Sequence, residues 1–165
     1  MSSEISSADE HHLRRCVELA KQALENGDDP FGSVLVDADG VVLAEEMNRE
    51  KSDRDPTAHP ELALVRWAIA HLTPEQRATS TVYTSGEHCP MCAAAHGWAG
   101  LGRIVAAASA EQLAGWRTSW GLPAGPVAPL PIRGVVPHAV VSAPVAPFDA
   151  EMREVHRRAA TQAQR

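Results

Sequence analysis

The chain has 165 residues, 44% hydrophobic and 22% charged, which is enough to bury one sizeable core and excludes a disordered polar chain. Its formal net charge of −6 argues against a nucleic-acid surface, and the clearest basic cluster, Arg153 with Arg157 and Arg158, lies near the C-terminus. No apolar run approaches membrane-spanning length and Met1 to Glu10 is polar throughout, so no membrane association and a cytoplasmic location are expected.

Ser7-Ala8-Asp9-Glu10 reads as a capping box that opens a first helix. Leu13, Cys16, Val17, Ala20 and Leu24 recur at helical spacing until Asn26-Gly27 supplies the stop. On that stripe Cys16 is a small buried hydrophobe. After the loop Asp28-Asp29-Pro30 come a strand over 31–36, the turn Asp37-Ala38-Asp39-Gly40 and a second strand over 41–45, making a hairpin. Met47-Asn48-Arg49 ends it and leads into a polar loop over 50–56.

Pro60 opens a helix that runs to about Ala70 and is apolar on nearly all sides, as in a helix buried within a layered domain. Thr73-Pro74-Glu75-Gln76 caps a short turn, Thr79 to Thr84 is a strand, and a second Pro-led helix spans about 90–98. Arg103 to Ala108 is a further strand, and Ser109-Ala110-Glu111-Gln112 caps a short helix. From Gly115 to Pro131 the chain is rich in Gly and Pro and carries Trp116 and Trp120. Residues 132–136 and 138–142 read as one interrupted strand or two edge strands. A last helix over about 149–162 places Met152, Val155 and Ala159 on one side. With no internal repeat and no linker, one α/β domain over 1–165 is the economical architecture.

The chemistry concentrates in two short stretches. Cys89 and Cys92 are three apart, so on a helix they share a face and can grip one metal ion, with His59 as a third ligand. His59 and Glu61 are two apart, a rotation of about 200° on a regular helix, so they cannot share a face. The conflict disappears if His59 is the helix cap and Glu61 lies in the first turn. Pro60 and Pro90 each follow a candidate ligand and favour the first helical position, so both ligands sit at helix N-termini, where the dipole favours a thiolate.

Three protein ligands leave the fourth position of a tetrahedral zinc open, the catalytic pattern, with one zinc per chain. Glu61, not itself a ligand, is placed to take a proton from water and pass it to a leaving group. Attack on an sp² carbon bearing an amino group would then release ammonia, the chemistry associated with H-x-E followed by P-C-x-x-C. The odd cysteine count, Cys16, Cys89 and Cys92, suits metal or redox use better than a disulfide scaffold.

His59-Pro60-Glu61 with Cys89-Pro90-Met91-Cys92 resembles the zinc-dependent cytidine deaminase superfamily. Asp55-Pro56-Thr57-Ala58, Thr84-Ser85, Glu87, Pro30-Phe31-Gly32 and Asn48 look more closely like its guanine deaminase branch. The resemblance covers roughly residues 10–108, the metal-site core, and leaves a C-terminal strand and helix region over 132–162. It implies a three-layer α/β/α sandwich around a five-stranded mixed sheet, a homodimer, and hydrolysis of a cyclic amidine C–N bond in a free aminated heterocycle. It also implies that Asn48 hydrogen-bonds the base and that Phe31 or Trp98 walls the pocket. The chain departs from the family where the usual E-P-C becomes Glu87-His88-Cys89 and the preceding Cys becomes Gly86. The second acid of guanine deaminases has no counterpart near Thr118 to Trp120, and Glu111 lies earlier.

Other readings of the same residues stand beside this one. A closed structural zinc site would recruit His88 or His96 as fourth ligand and make the chain a zinc-stabilised binding module, leaving Glu61 without a task. A redox Cys-x-x-Cys would make His59-Pro60-Glu61 a coincidence. Cytosine, nucleosides and tRNA adenosine are rival substrates within the same chemistry. Asn48 could simply shape a turn. Trp116 and Trp120 either stack on a heterocycle or fill an interface.

Overall fold

A computed structural model describes residues 4–165; the first three residues of the polar N-terminal stretch lie outside it. Among the described residues, seven helices and five strands follow in the order α1 (Ser7–Glu25), β1 (Gly32–Val36), β2 (Val42–Met47), α2 (Pro60–His71), α3 (Pro74–Ala78), β3 (Thr81–Gly86), α4 (Pro90–Ala99), β4 (Arg103–Ala108), α5 (Ala110–Ser119), α6 (Ile132–Val135), β5 (Val141–Ser142) and α7 (Phe148–Ala163). The strands form one sheet in the order β2-β1-β3-β4-β5. β1 pairs antiparallel with β2 and β3, while β3–β4 and β4–β5 are parallel, so the sheet is mixed as expected.

Strand alternation sorts the side chains into two layers. Val34, Val36, Tyr83 and Val105 face α1 and α7, meeting Leu13, Val17, Phe148 and Met152 in one core. Leu35 and Val82 point the other way and pack against Leu64, Val65 and Ala68 of α2 and Ala99 of α4. Gly32 marks a close approach: a β-carbon there would overlap Leu19 and sit 2.7 Å from the Cys16 carbonyl oxygen, so α1 lies directly on β1.

The first capping box closes one residue earlier than the sequence suggests. Ser6 is the N-cap and Asp9 the reciprocal partner, because the Asp9 carboxylate also accepts from the Tyr83 hydroxyl at 2.7 Å and Arg103 at 2.9 Å. Those contacts reach β3 and β4, and tertiary pairing selects the register of the cap.

The larger correction is in the C-terminal part. Residues 132–136, expected as strand, begin the short helix α6, whose Ile132 and Val135 pack with Val136 against Ile104 and Ala93. Of 138–142 only Val141 and Ser142 pair with β4, opposite Ile104 and Val105. Pro137 before this segment and Pro144 after it supply no backbone donor to a longer ladder.

Candidate active site

The two Pro-led helices converge with their N-termini side by side. His59 is the N-cap of α2 and Cys89 the N-cap of α4, both extended, with Pro60 and Pro90 at the first helical positions. His59 Nδ1 lies 3.5 Å from Cys89 Sγ and 3.6 Å from Cys92 Sγ. These ligand atoms lie within 4.8 Å of one another, the only such three-residue cluster among the described residues. One imidazole and two sulfurs converging on a point, at the edge of a cavity, fit a zinc ion with three protein ligands.

Charge at the cluster is already divided. The Cys92 contact, opposed by burial and aided by His59, pulls the Cys89 thiol down to about 4. Cys92 is pushed up, first by Cys89 and then by burial, so the pair carries one thiolate. His59 is held up at about 10, first by Cys89 and next by Glu50.

Glu61 sits one step inside α2, only 5% exposed, with its Oε1 anchored by Thr84 Oγ1 at 2.8 Å and Ser33 Oγ at 3.2 Å. Ser33 and Thr84 are register partners on β1 and β3 and share the sheet face that Leu35 and Val82 use further along. The sheet therefore fixes the carboxylate from below while α2 supplies it from above. Burial raises its pKa against the opposing hydrogen bonds from the helix amide and Thr84, which favours a proton-carrying acid.

A cavity of about 500 Å³ opens over this floor. Phe31 and Asn48, both expected there, line it. Asn48 is fully buried and partly engaged: its Nδ2 donates to Glu50 Oε2 at 2.6 Å and its Oδ1 accepts from the Glu50 amide at 3.0 Å. Trp98 is not in the wall; it is 92% exposed on α4. Its place is taken by α5, through Leu113, Ala114 and Thr118, and by the loop over 122–130.

Glu111 is exposed and does not line the cavity. The further acids that do are Glu50 and Glu87. The sequence places Glu50 only in a polar loop, and no local signal marks it, since its partners are brought in by folding. Glu87 accepts from the Ala110 amide and from the Ile132 amide, each at 2.8 Å, and so ties the starts of α5 and α6 to the strand end beside Cys89. At Gly86 a β-carbon would stand 3.0 Å from Phe31 and 3.1 Å from Leu113, both wall residues, so a larger residue there would push on the wall.

His88 and His96 do not join the metal ligands. They pack edge to face at 5.3 Å, and His96 Nε2 meets the Gly102 carbonyl at 2.9 Å. Trp116 and Trp120 line a separate cavity of about 710 Å³ with His156, on the other side of Phe31 and Leu113.

Comparison with known proteins extends this picture. Residues 6–108 match the family described as the cytidine and deoxycytidylate deaminase zinc-binding region. A probable cytosine deaminase of Schizosaccharomyces pombe is 35% identical over 68% of this chain and 67% of that protein. A guanine deaminase of Bacillus subtilis is 42% identical over 54% of this chain and 58% of that protein. A tRNA-specific adenosine deaminase of Agrobacterium fabrum is 37% identical over 57% of this chain and 61% of that protein. The chain thus spans about three fifths to two thirds of these relatives. A solved guanine deaminase from Nitrosomonas europaea shares the fold over 96% of this chain and 87% of that one, with a TM-score of 0.72 at 19% identity.

Proposed function

The chain belongs to the cytidine and deoxycytidylate deaminase zinc-binding family, and from that premise we propose that it hydrolytically deaminates a free aminated heterocycle, guanine or a close purine-like analogue. The observation that carries the proposal is Glu61, a buried carboxyl held by two hydroxyls beneath a cavity and beside a His59–Cys89–Cys92 cluster. Zinc held by those three residues would supply a Lewis acid that acidifies water at the cavity floor. Glu61 takes the proton from that water and returns it to the departing amino nitrogen, and its raised pKa suits the return step. Ser33 and Thr84 keep the carboxyl pointed while it exchanges the proton. Phe31 offers a flat apolar wall for a ring, and Asn48 an amide at its edge.

The 42% identity with a guanine deaminase supports a free purine. The 37% identity with a tRNA-specific deaminase supports the second reading, tRNA adenosine. Charge favours the first, since the chain carries a net −6 and Glu50 and Glu87 line the cavity, an unfavourable field for a polyanion.

The test is ammonia release by the zinc-loaded protein from guanine, guanosine, adenine, cytosine, cytidine and aminated triazines, with Glu61→Ala as control and a tRNA gel-shift at low salt alongside. Turnover of one free base, absent in the control, is the expected result. Retention of tRNA with silence across the panel would replace this reading with the second.

A further inference from the structure

We propose that Glu50 is a positioning residue shared by the metal centre and the substrate wall: one carboxylate orients both the His59 imidazole and the Asn48 amide. The inference rests on the zinc site assigned above and goes beyond it.

His59 presents Nδ1 to the two sulfurs, at 3.5 and 3.6 Å. Its other ring nitrogen, Nε2, lies 3.6 Å from Glu50 Oε1. A neutral imidazole that gives Nδ1 to a metal keeps its proton on Nε2, and an acceptor opposite that N–H fixes both the tautomer and the rotation of the ring. Glu50 Oε1, 3.6 Å away and just beyond hydrogen-bond length, is the carboxylate oxygen that faces that N–H. Its second oxygen, Oε2, takes the Asn48 Nδ2 donor in a short contact of 2.6 Å. The loop closes on itself through the Glu50 amide, which donates to Asn48 Oδ1 at 3.0 Å. The two side chains flanking Glu50 therefore answer to one group that can only accept.

That property distinguishes a carboxylate from its isosteric amide. Both Nε2–H of a ligating His59 and Nδ2–H of Asn48 are donors, so Glu50 must accept at both oxygens. In Glu50→Gln one end of the side chain becomes a donor, and it faces either the imidazole N–H or the Asn48 amide. Shape is kept and one of the two contacts becomes repulsive. Glu50 is half-buried at the cavity edge in a loop, so the substitution changes no core packing.

The test measures zinc affinity by competition with a chromophoric chelator, for the wild type, Glu50→Gln and Asn48→Ala, and records the visible spectrum of each cobalt-substituted protein. Carboxylate partners of metal-ligating histidines typically contribute about 10- to 100-fold in affinity. Glu50→Gln is expected to lose zinc affinity within that range and to alter the cobalt spectrum. Asn48→Ala, which leaves the Glu50–His59 contact in place, is expected to change affinity less than threefold while raising KM.

Unchanged zinc affinity and an unchanged spectrum in Glu50→Gln would overturn the proposal and leave the deaminase reading intact. Should Glu50→Gln not fold, Asn48→Ala decides: a loss of zinc affinity as large as the full range would mean the amide, not the carboxylate, organises the site. Thermal melting of the metal-free proteins separates a general loss of stability, which would lower the melting temperature without moving zinc affinity in the folded fraction.

Discussion

The floor and the roof of the cavity come from different kinds of sequence. His59, Glu61 and Cys89 on the floor are placed by short motifs at two helix N-termini, where a proline directly after His59 and after Cys89 starts the helix. The roof runs from Leu113 to Leu130 and has no motif; it is held by a helix whose cap is Ser109 and by backbone amides that reach back to Glu87. The family match ends at residue 108, where the floor is complete and the roof begins. The likeness of fold to a solved guanine deaminase nevertheless covers 96% of the chain. The floor is set by the chemistry of particular side chains, whereas the roof is set by the volume its side chains fill.

The largest expected effect tests the floor. Glu61→Gln keeps the shape of the side chain and removes its ability to carry a proton. The rate kcat should fall by about 10²- to 10⁴-fold, the typical contribution of a positioned general acid–base. Zinc content should stay at one per chain by atomic absorption, because Glu61 is not among the clustered ligand atoms. Loss of zinc together with activity would move Glu61 into the ligand set.

A smaller effect should appear at the seam. Glu87 accepts one backbone amide from α5 and one from α6, and a glutamine can accept only one while presenting a donor to the other. Glu87→Gln should cost about 2 kcal/mol in urea unfolding, in line with loss of a hydrogen bond to a charged group. Zinc affinity should be unchanged and KM should rise, since the roof loosens while the floor does not. A shift in zinc affinity with KM unchanged would mean that floor and roof are not separable at this residue.

The same division explains what was legible in the sequence. The clustering of His59, Cys89 and Cys92 and the two Pro-led helices were legible from spacing and capping, because each stretch is short and sits at a helix start, although folding brings the two stretches together. Glu50 was not legible, since its meaning depends on His59 and Asn48 meeting it across a loop. Nor was Trp98, where an apolar helix face gives no sign of which side meets the sheet; folding turns Cys92, Ala93 and His96 inward and leaves Trp98 outside. Residues 132–136 have strand-like composition, yet they fold as α6 because Glu87 accepts the Ile132 amide at its first turn. Propensity loses there to one tertiary hydrogen bond and the packing of Ile132.

An effect no larger than that at Glu87 sharpens the comparison through pH, in the region behind the roof. His156 on α7 stands 5.0 Å from the Phe31 ring and 6.0 Å from Trp116, with Nε2 buried and without a partner. Burial, with the Arg117 charge adding to it, pushes its pKa down to about 4. In the unfolded chain it returns to the ordinary value near 6.5. Between those values the unfolded state binds more protons than the folded one, so stability falls as pH drops through the window. Above about 6.5 the residue contributes no pH dependence, and below about 4 its contribution is constant. From pH 7 to pH 5 the loss is on the order of 2 kcal/mol. His156→Phe offers a ring that suits the same aromatic surroundings and cannot take up a proton, so its urea midpoint should decline less over that interval than the wild type's. The metal cluster is common to both proteins, and its own pH response cancels in the difference. Curves that run parallel would remove His156 as a source of acid sensitivity, and the region behind the roof would then be neutral to pH as well as free of motifs.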